Sequence, residues 1–300
     1  MKKKTYLFAL MAMALTLGSC SDNENGIGGE TSKYITVSTS IGNMTRVATD
    51  ANGGQTFEEG DEISVYAWTG DATVAPETRE RVVNNAINKL TNGSWVSTPQ
   101  MLWKNNRDKH YFIGVYPTAA ISDLSAGEYT FDANKQTESD LLVAVNPDGL
   151  SYNVDEQQPV PLTFTHVMAK LVVNLTYKNQ WGGIPTVEKV VVGNAAKEAT
   201  INYLTKVVTP STTAKEDFSL PEITENTKYV SVIIPQEDVK QLTIVIGGKN
   251  FVYDNGTPFK LESGKITTVN LEVGRDEIKL GDVKITDWEN GSTFSGEALN

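Results

Sequence analysis

The chain has 300 residues, of which 39% are hydrophobic and 21% charged, with 26 basic against 37 acidic side chains and a formal net charge of −11 at pH 7. Such an acidic chain offers no electropositive footprint for nucleic acid, and anionic headgroups repel it. Its single cysteine excludes an internal disulfide, so the fold must rest on packing, for which the length is ample.

The first nineteen residues have the anatomy of a signal peptide. Lys2, Lys3 and Lys4 precede an uncharged run from Tyr6 to Leu17, which is shorter than the roughly 20 apolar residues that span a bilayer core. Leu17-Gly18-Ser19-Cys20 resembles a bacterial lipobox, which makes Cys20 the expected site of lipidation (palmitate-type chains) and residue 20 the mature N-terminus. Each buried methylene of an acyl chain contributes about 0.8 kcal/mol of membrane affinity. Removing residues 1–19 deletes three lysines and no carboxylate, taking the net charge from −11 to −14. Residues 20–32, with Ser21-Asp22-Asn23-Glu24 followed by a glycine-rich polar stretch, read as a flexible tether. The acidic start resembles the surface-export signal of Bacteroidetes lipoproteins, so the expected location is the outer face of the outer membrane.

From residue 33 onward the dominant pattern has period two. Ile35, Val37, Thr39 and Ile41 alternate with polar residues, and Ile63, Val65 and Ala67 alternate with Ser64 and Tyr66, as half-buried strands do. Further strands are expected over 110–116, 140–145, 162–175, 188–192, 229–234, 241–246, 265–273 and 282–286. Turn chemistry such as Asn92-Gly93 and Gly247-Gly248 separates several of them. In the run from Leu162 to Leu175 the alternation changes phase near His166-Val167, which predicts a bulge. Arg79–Leu90 is the best short helix candidate. The two prolines of Gln157–Pro161 mark a linker between an N-terminal domain, 33–158, and a C-terminal domain, 159–300. Many short strands with regular turns imply antiparallel β-sandwiches.

Catalytic signals are sparse. His110 and His166 are the only histidines, both in expected strands, and no G-x-S-x-G elbow is present. Asn52-Gly53-Gly54 and Trp181-Gly182-Gly183 do not spell a phosphate loop, and Asp50-Ala51-Asn52 and Asp132-Ala133-Asn134 start but do not complete a calcium loop. The reading is therefore a non-enzyme with no cofactor and no metal. Trp68, Trp95, Trp103, Trp181 and Trp288 are scattered singly, as core or sheet-edge tryptophans are.

Several segments, in order, carry a family resemblance: Met44-Thr45-Arg46, Phe57-Glu58-Glu59-Gly60-Asp61-Glu62-Ile63-Ser64-Val65-Tyr66, Tyr111-Phe112-Ile113-Gly114-Val115-Tyr116-Pro117, Asp140-Leu141-Leu142-Val143-Ala144, Leu162-Thr163-Phe164-Thr165-His166-Val167-Met168-Ala169-Lys170-Leu171 and Ile285-Thr286-Asp287-Trp288. Together they resemble the fimbrillin family of Bacteroidia, the pilins and pilus-associated lipoproteins of type V pili. That resemblance implies two tandem transthyretin-like antiparallel β-sandwich domains and a structural, adhesive role in a surface pilus, with other pilus subunits as partners in a homo- or hetero-polymer. It also implies an arginine-specific, trypsin-like surface protease that removes the lipid and the first strand, leaving a groove that another subunit's strand fills. The head-to-tail contact does not close, so it makes a filament.

On this chain the scheme maps as cleavage between Arg46 and Val47, loss of a first strand carrying Ile35, Val37 and Ile41, and a candidate donor within 276–300 carrying Ile278, Leu280, Val283 and Ile285. The donor's two apolar sets change phase at Gly281-Asp282, as a bulge requires. The tail is either an exchangeable donor, as in a stalk pilin, or the last strand of its own domain, as in a tip or anchor subunit. The alternative function is a surface glycan-binding lipoprotein without polymerisation, for which tryptophans would converge on one exposed face. A secreted hydrolase would instead need clustered carboxylates or a nucleophile with its base.

Overall fold

Period-two stretches become strands throughout the computed structural model, which describes residues 33–42, 56–153, 158–254 and 256–288. In chain order the strands are β1 Val37–Ile41, β2 Glu62–Thr69, β3 Arg81–Thr91, β4 Ser94–Thr98, β5 His110–Tyr116, β6 Gly127–Thr130, β7 Leu142–Leu150, β8 Val160–His166, β9 Ala169–Tyr177 and β10 Val187–Ala196. They continue as β11 Glu198–Asn202, β12 Val207–Pro210, β13 Lys215–Ser219, β14 Glu222–Thr224, β15 Lys228–Ile233, β16 Gln241–Ile246, β17 Lys249–Asp254, β18 Lys265–Val273 and β19 Ile278–Asp287. No α-helix occurs among the described residues.

The first sheet has seven strands in the order β1-β8-β7-β5-β2-β3-β4. Every neighbour pair in it is antiparallel except β1 with β8, which run parallel. One face gathers Ile63, Val65, Phe112, Leu162 and Phe164 into a separate core. The opposite face, with Tyr66, Trp68, Ile113 and Val115, is buried as well. The expectation of half-buried strands therefore fails for β2, whose Ser64 and Tyr66 are both 0% exposed. The cause is the segment after β5, which lies across them. The Ala119 amide donates to Ser64 Oγ at 3.0 Å, the Ile121 amide donates to the Tyr66 hydroxyl at 2.9 Å, and that hydroxyl donates to the Ala119 carbonyl. These bonds satisfy polar groups that burial would otherwise penalise.

The remaining strands build a sandwich. The sheet β13-β10-β16-β17 packs on the sheet β14-β15-β9-β18-β19, and Leu171, Val173, Val269 and Leu271 meet Val190, Val192, Leu242 and Ile244 in one core. A fourth, short sheet, β12-β11-β6, pairs β6 from the first half of the chain with β11 from the second. The larger core is consequently continuous from Tyr66 to Trp288.

Two expectations are corrected. Arg79–Leu90 is not helical: a 3₁₀ turn at Thr78–Glu80 leads straight into β3. The buried positions of β3 are Arg81, Val83, Ala86 and Asn88, so the period of two slips by one residue where Asn85 adopts a positive φ of 55° and the register with β2 shifts. That slip mimics helical spacing in the sequence. The run 162–175 is not one bulged strand either. It breaks at Val167-Met168, with β8 in the first sheet and β9 in the sandwich. Because β8 pairs with β1 and β7, sheet membership changes at Val167-Met168 and not at the Gln157–Pro161 segment.

The Asn92-Gly93 turn behaves as expected. Positive φ values of 51° and 72° let it close the β3–β4 hairpin in two residues, a backbone that glycine adopts freely and asparagine tolerates.

Candidate functional site

The first strand sits at the edge of the seven-stranded sheet. Val37, Thr39 and Ile41 lie opposite Val160, Leu162 and Phe164 of β8, all with side chains on the inner face. Ile35 is 2% exposed, Val37 6% and Ile41 8%. Burying each such side chain contributes about 1.5–3 kcal/mol, an upper figure since the unfolded chain hides part of the same surface. Backbone bonds hold both flanks. On one side the Val160 amide donates to the Thr36 carbonyl and the Gly42 amide to the Phe164 carbonyl, both at 2.8 Å. On the other, the Ile35 amide donates to the Met101 carbonyl at 2.9 Å and the Trp103 amide to the Lys33 carbonyl at 3.1 Å. The strand thus bridges β8 and the segment that follows β4.

Aromatic side chains shape the floor under it. Phe57 packs edge-to-face against Trp95, Tyr116 and Phe164, with centroids 5.2, 5.4 and 5.1 Å away. Phe164 fits only because residue 114 is glycine: a Cβ there would lie 2.6 Å from its Cζ. Tyr116 reaches the Asp61 carboxylate at 3.4 Å, and burial followed by that carboxylate pushes its hydroxyl up to about 12. The Trp95 indole N–H donates to Thr39 Oγ1 at 3.0 Å. Thr39 occupies an inward position in an otherwise apolar set, and the alternation alone gave no sign of this contact. A polar residue in an apolar period is the signal that could have raised it.

The candidate donor residues lie on β19, which pairs antiparallel with β18 from Lys265↔Asp287 to Val273↔Ile278. The change of phase at Gly281-Asp282 is a bulge opposite Asn270, whose amide group donates to the Asp282 carbonyl at 2.9 Å. Leu280, Val283 and Ile285 share the core-facing side with the fully buried Val269 and Leu271, yet they are 37, 41 and 39% exposed, because β19 is the last strand of its sheet. Its C-terminal end is pinned. The Trp288 ring stacks on His166 at 4.0 Å, its amide donates to the Gly264 carbonyl at 3.0 Å, and Lys170 Nζ lies 5.0 Å from its centroid.

Both histidines have partners. His166 Nδ1 is 2.8 Å from Asp140 Oδ1. His110 Nε2 accepts from the Lys104 amide at 3.1 Å, and burial lowers its pKa. Among the described residues no group of three or more His, Cys, Asp or Glu side chains could hold a metal. The Asp132 carboxylate closes its own turn by accepting from the Asn134 amide. Trp68 and Trp103 line one surface cleft of about 770 Å³. Trp68 is only 2% exposed and its indole N–H is held by the Asp71 carbonyl, so it presents no stacking face. Cys20, Arg46, Val47 and the tail 289–300 lie outside the described residues.

The geometry is that of an all-β scaffold in which β1 and β19 are the end strands of their sheets. Comparison with known proteins narrows this: residues 45–288 match the fimbrillin-like family, and the chain belongs to it. It is 25% identical to Fim1C of Bacteroides uniformis, a proposed fimbrium subunit, over 99% of this chain and 100% of that one. In structure it resembles a proposed cell-adhesion protein of Bacteroides uniformis (TM-score 0.63, 20% identity, covering 86% of this chain and 100% of that one). It also resembles a fimbrial protein of Bacteroides vulgatus (TM-score 0.52, 12% identity, covering 84% and 99%).

Proposed function

We propose that the protein is a subunit of a cell-surface fimbria, exported as a lipoprotein through Cys20 and assembled by exchange of its first strand after cleavage between Arg46 and Val47. The observation that carries this reading is the placement of β1. It is an edge strand, parallel to its neighbour, whose buried Ile35, Val37 and Ile41 close a core lined by β8 and the segment after β4. Its loss would open an apolar groove with unpaired backbone on both flanks without breaking an internal ladder, and such edges capture strands. Arg79 and Arg81 suit cleavage poorly. Both follow β2, so a cut at either would remove more than one strand, and the buried Arg81 guanidinium donates to the carbonyls of Ile121 and Ser122, both at 2.6 Å. Partners in this reading are other pilus subunits, an arginine-specific protease and the outer membrane through the lipid. Two sandwich domains, divided at Val167-Met168, belong to the same reading. The long pairing of β19 with β18 and the docking of Trp288 support a last strand of its own domain, as in a tip or anchor subunit.

Trypsin under native conditions is expected to release the segment ending at Arg46 and yield an assembly-competent protein that joins other subunits, while Arg46→Ala stays uncut and monomeric. N-terminal sequencing and size-exclusion chromatography read both effects. A wild-type protein cut at Arg46 that keeps residues 33–42 bound and never associates would sink the strand-exchange reading. Separately, Cys20→Ala is expected to abolish fatty-acid labelling in cells. Equal labelling of the variant would remove the lipoprotein assignment.

A further inference from the structure

We propose that Trp95 reads the strand occupying the β1 position, requiring a hydrogen-bond acceptor at the third of four inward sites, and thereby selects a strand from a chain other than this one. The inference rests on the strand-exchange reading and names its partner.

The inward sites of the groove are filled in order by Ile35, Val37, Thr39 and Ile41. Three are apolar and buried, and the third places a hydroxyl 3.0 Å from the Trp95 indole nitrogen. Indole N–H is a donor only, so the groove offers one fixed donor among apolar walls. An apolar side chain at that site leaves the half-buried donor without its partner in the strand, whereas Ser, Thr, Asn or Asp supplies one.

The C-terminal stretch of this chain does not supply the pattern. Across its bulge the alternating set is Ile278, Leu280, Val283 and Ile285, which puts Val283 at the third site if the strand runs parallel to β8 and Leu280 if it runs antiparallel. Without the bulge, Ile278, Leu280 and Asp282 are followed by Lys284, and Val283, Ile285 and Asp287 by Glu289, so a charge falls where Ile41 is buried. No alternating set of four within 276–300 has three apolar residues and an acceptor in the required place, in either direction. A second copy of this chain is therefore a poor mate for its own groove. The fitting partner is an extended segment with the order apolar, apolar, acceptor, apolar on alternate residues.

The test uses purified protein cut after Arg46 and fluorescent peptides spanning residues 33–42. Against the wild-type groove, the Thr39→Val peptide is expected to bind roughly three- to tenfold more weakly than the parent, with Thr39→Ser close to the parent. Against Trp95→Phe, which keeps a ring and deletes the donor, all three should bind alike. This coupling would not arise from a merely structural role. A peptide of residues 276–288 should bind the wild-type groove weakly and gain on Val283→Thr only when Trp95 is present. Equal binding of the parent and Thr39→Val peptides to the wild-type groove, or tight binding of the unmodified 276–288 peptide, overturns the proposal. Failure of every peptide to enter instead overturns the strand-exchange reading beneath it.

Discussion

Phe164→Ala should cost about 3–5 kcal/mol of stability, the range for emptying a buried phenylalanine site. The side chain is 0% exposed, lies beside Ile41 in the parallel register and carries the edge of Phe57 against its ring. Collapse cannot readily refill the space, because the ring reaches across Ala144 of β7 to Gly114 of β5, which presents no side chain. The loss is a large part of the about 5–15 kcal/mol available to a folded domain. The urea midpoint should fall accordingly, and amide exchange should rise first at Gly42, whose N–H is held by the Phe164 carbonyl. Val96→Ala, at a side chain 54% exposed on β4, should stay within about 0.5 kcal/mol of wild type. A loss below about 1 kcal/mol for Phe164→Ala would mean that the β1 site is not packed as described.

Lys170→Met should abolish a rise in stability that wild type shows on going alkaline. Lys170 is 3% exposed, and burial pulls its pKa from 10.5 down to about 8, with the Lys228 charge acting in the same direction and the Asp140 carboxylate opposing both. Between those two values the unfolded chain holds a proton that the folded chain has lost, so stability increases with pH. Above pH 10 the trend reverses, because Tyr116 and Tyr203 are pushed up to about 12 and the folded state then holds the extra protons. The window is therefore about pH 8 to 10, and the wild-type rise there is about 2 kcal/mol at one pKa unit per 1.36 kcal/mol. Methionine removes the titrating group and with it the cation–π contact with Trp288, worth about 0.5–2 kcal/mol. Parallel stability profiles for the two proteins from pH 7 to 10 would refute the assignment.

Trp288 also shows what a linear reading misses. Its position at the end of the last strand was legible, and so was a phase change at Gly281-Asp282, because a bulge leaves its mark within one strand. The stack on His166 was not, since the two residues are joined only by the return of the chain through β18 and β19. The slip in β3 was misleading for a related reason. Moving one residue of a period-two pattern places Val83, Ala86, Ile87 and Leu90 at helical spacing, and only pairing with β2 and β4 distinguishes the alternatives.

By itself the sequence determined the all-β class, most strand positions, the hairpin turns and the apolar faces of β1 and β19, because alternation and turn residues are local consequences of backbone geometry. It also carried the family resemblance, which lies in short contiguous strings. Only the tertiary structure decided that β1 runs parallel to β8 at the end of its sheet, that β2 is buried on both faces, and that the sheets change over at Val167-Met168. It alone placed Thr39 Oγ1 3.0 Å from the Trp95 indole nitrogen. Each of these depends on which strand lies beside which, and pairing energy is shared between residues as far apart as Leu142 and His166 or Val37 and Val160, where no local pattern records it.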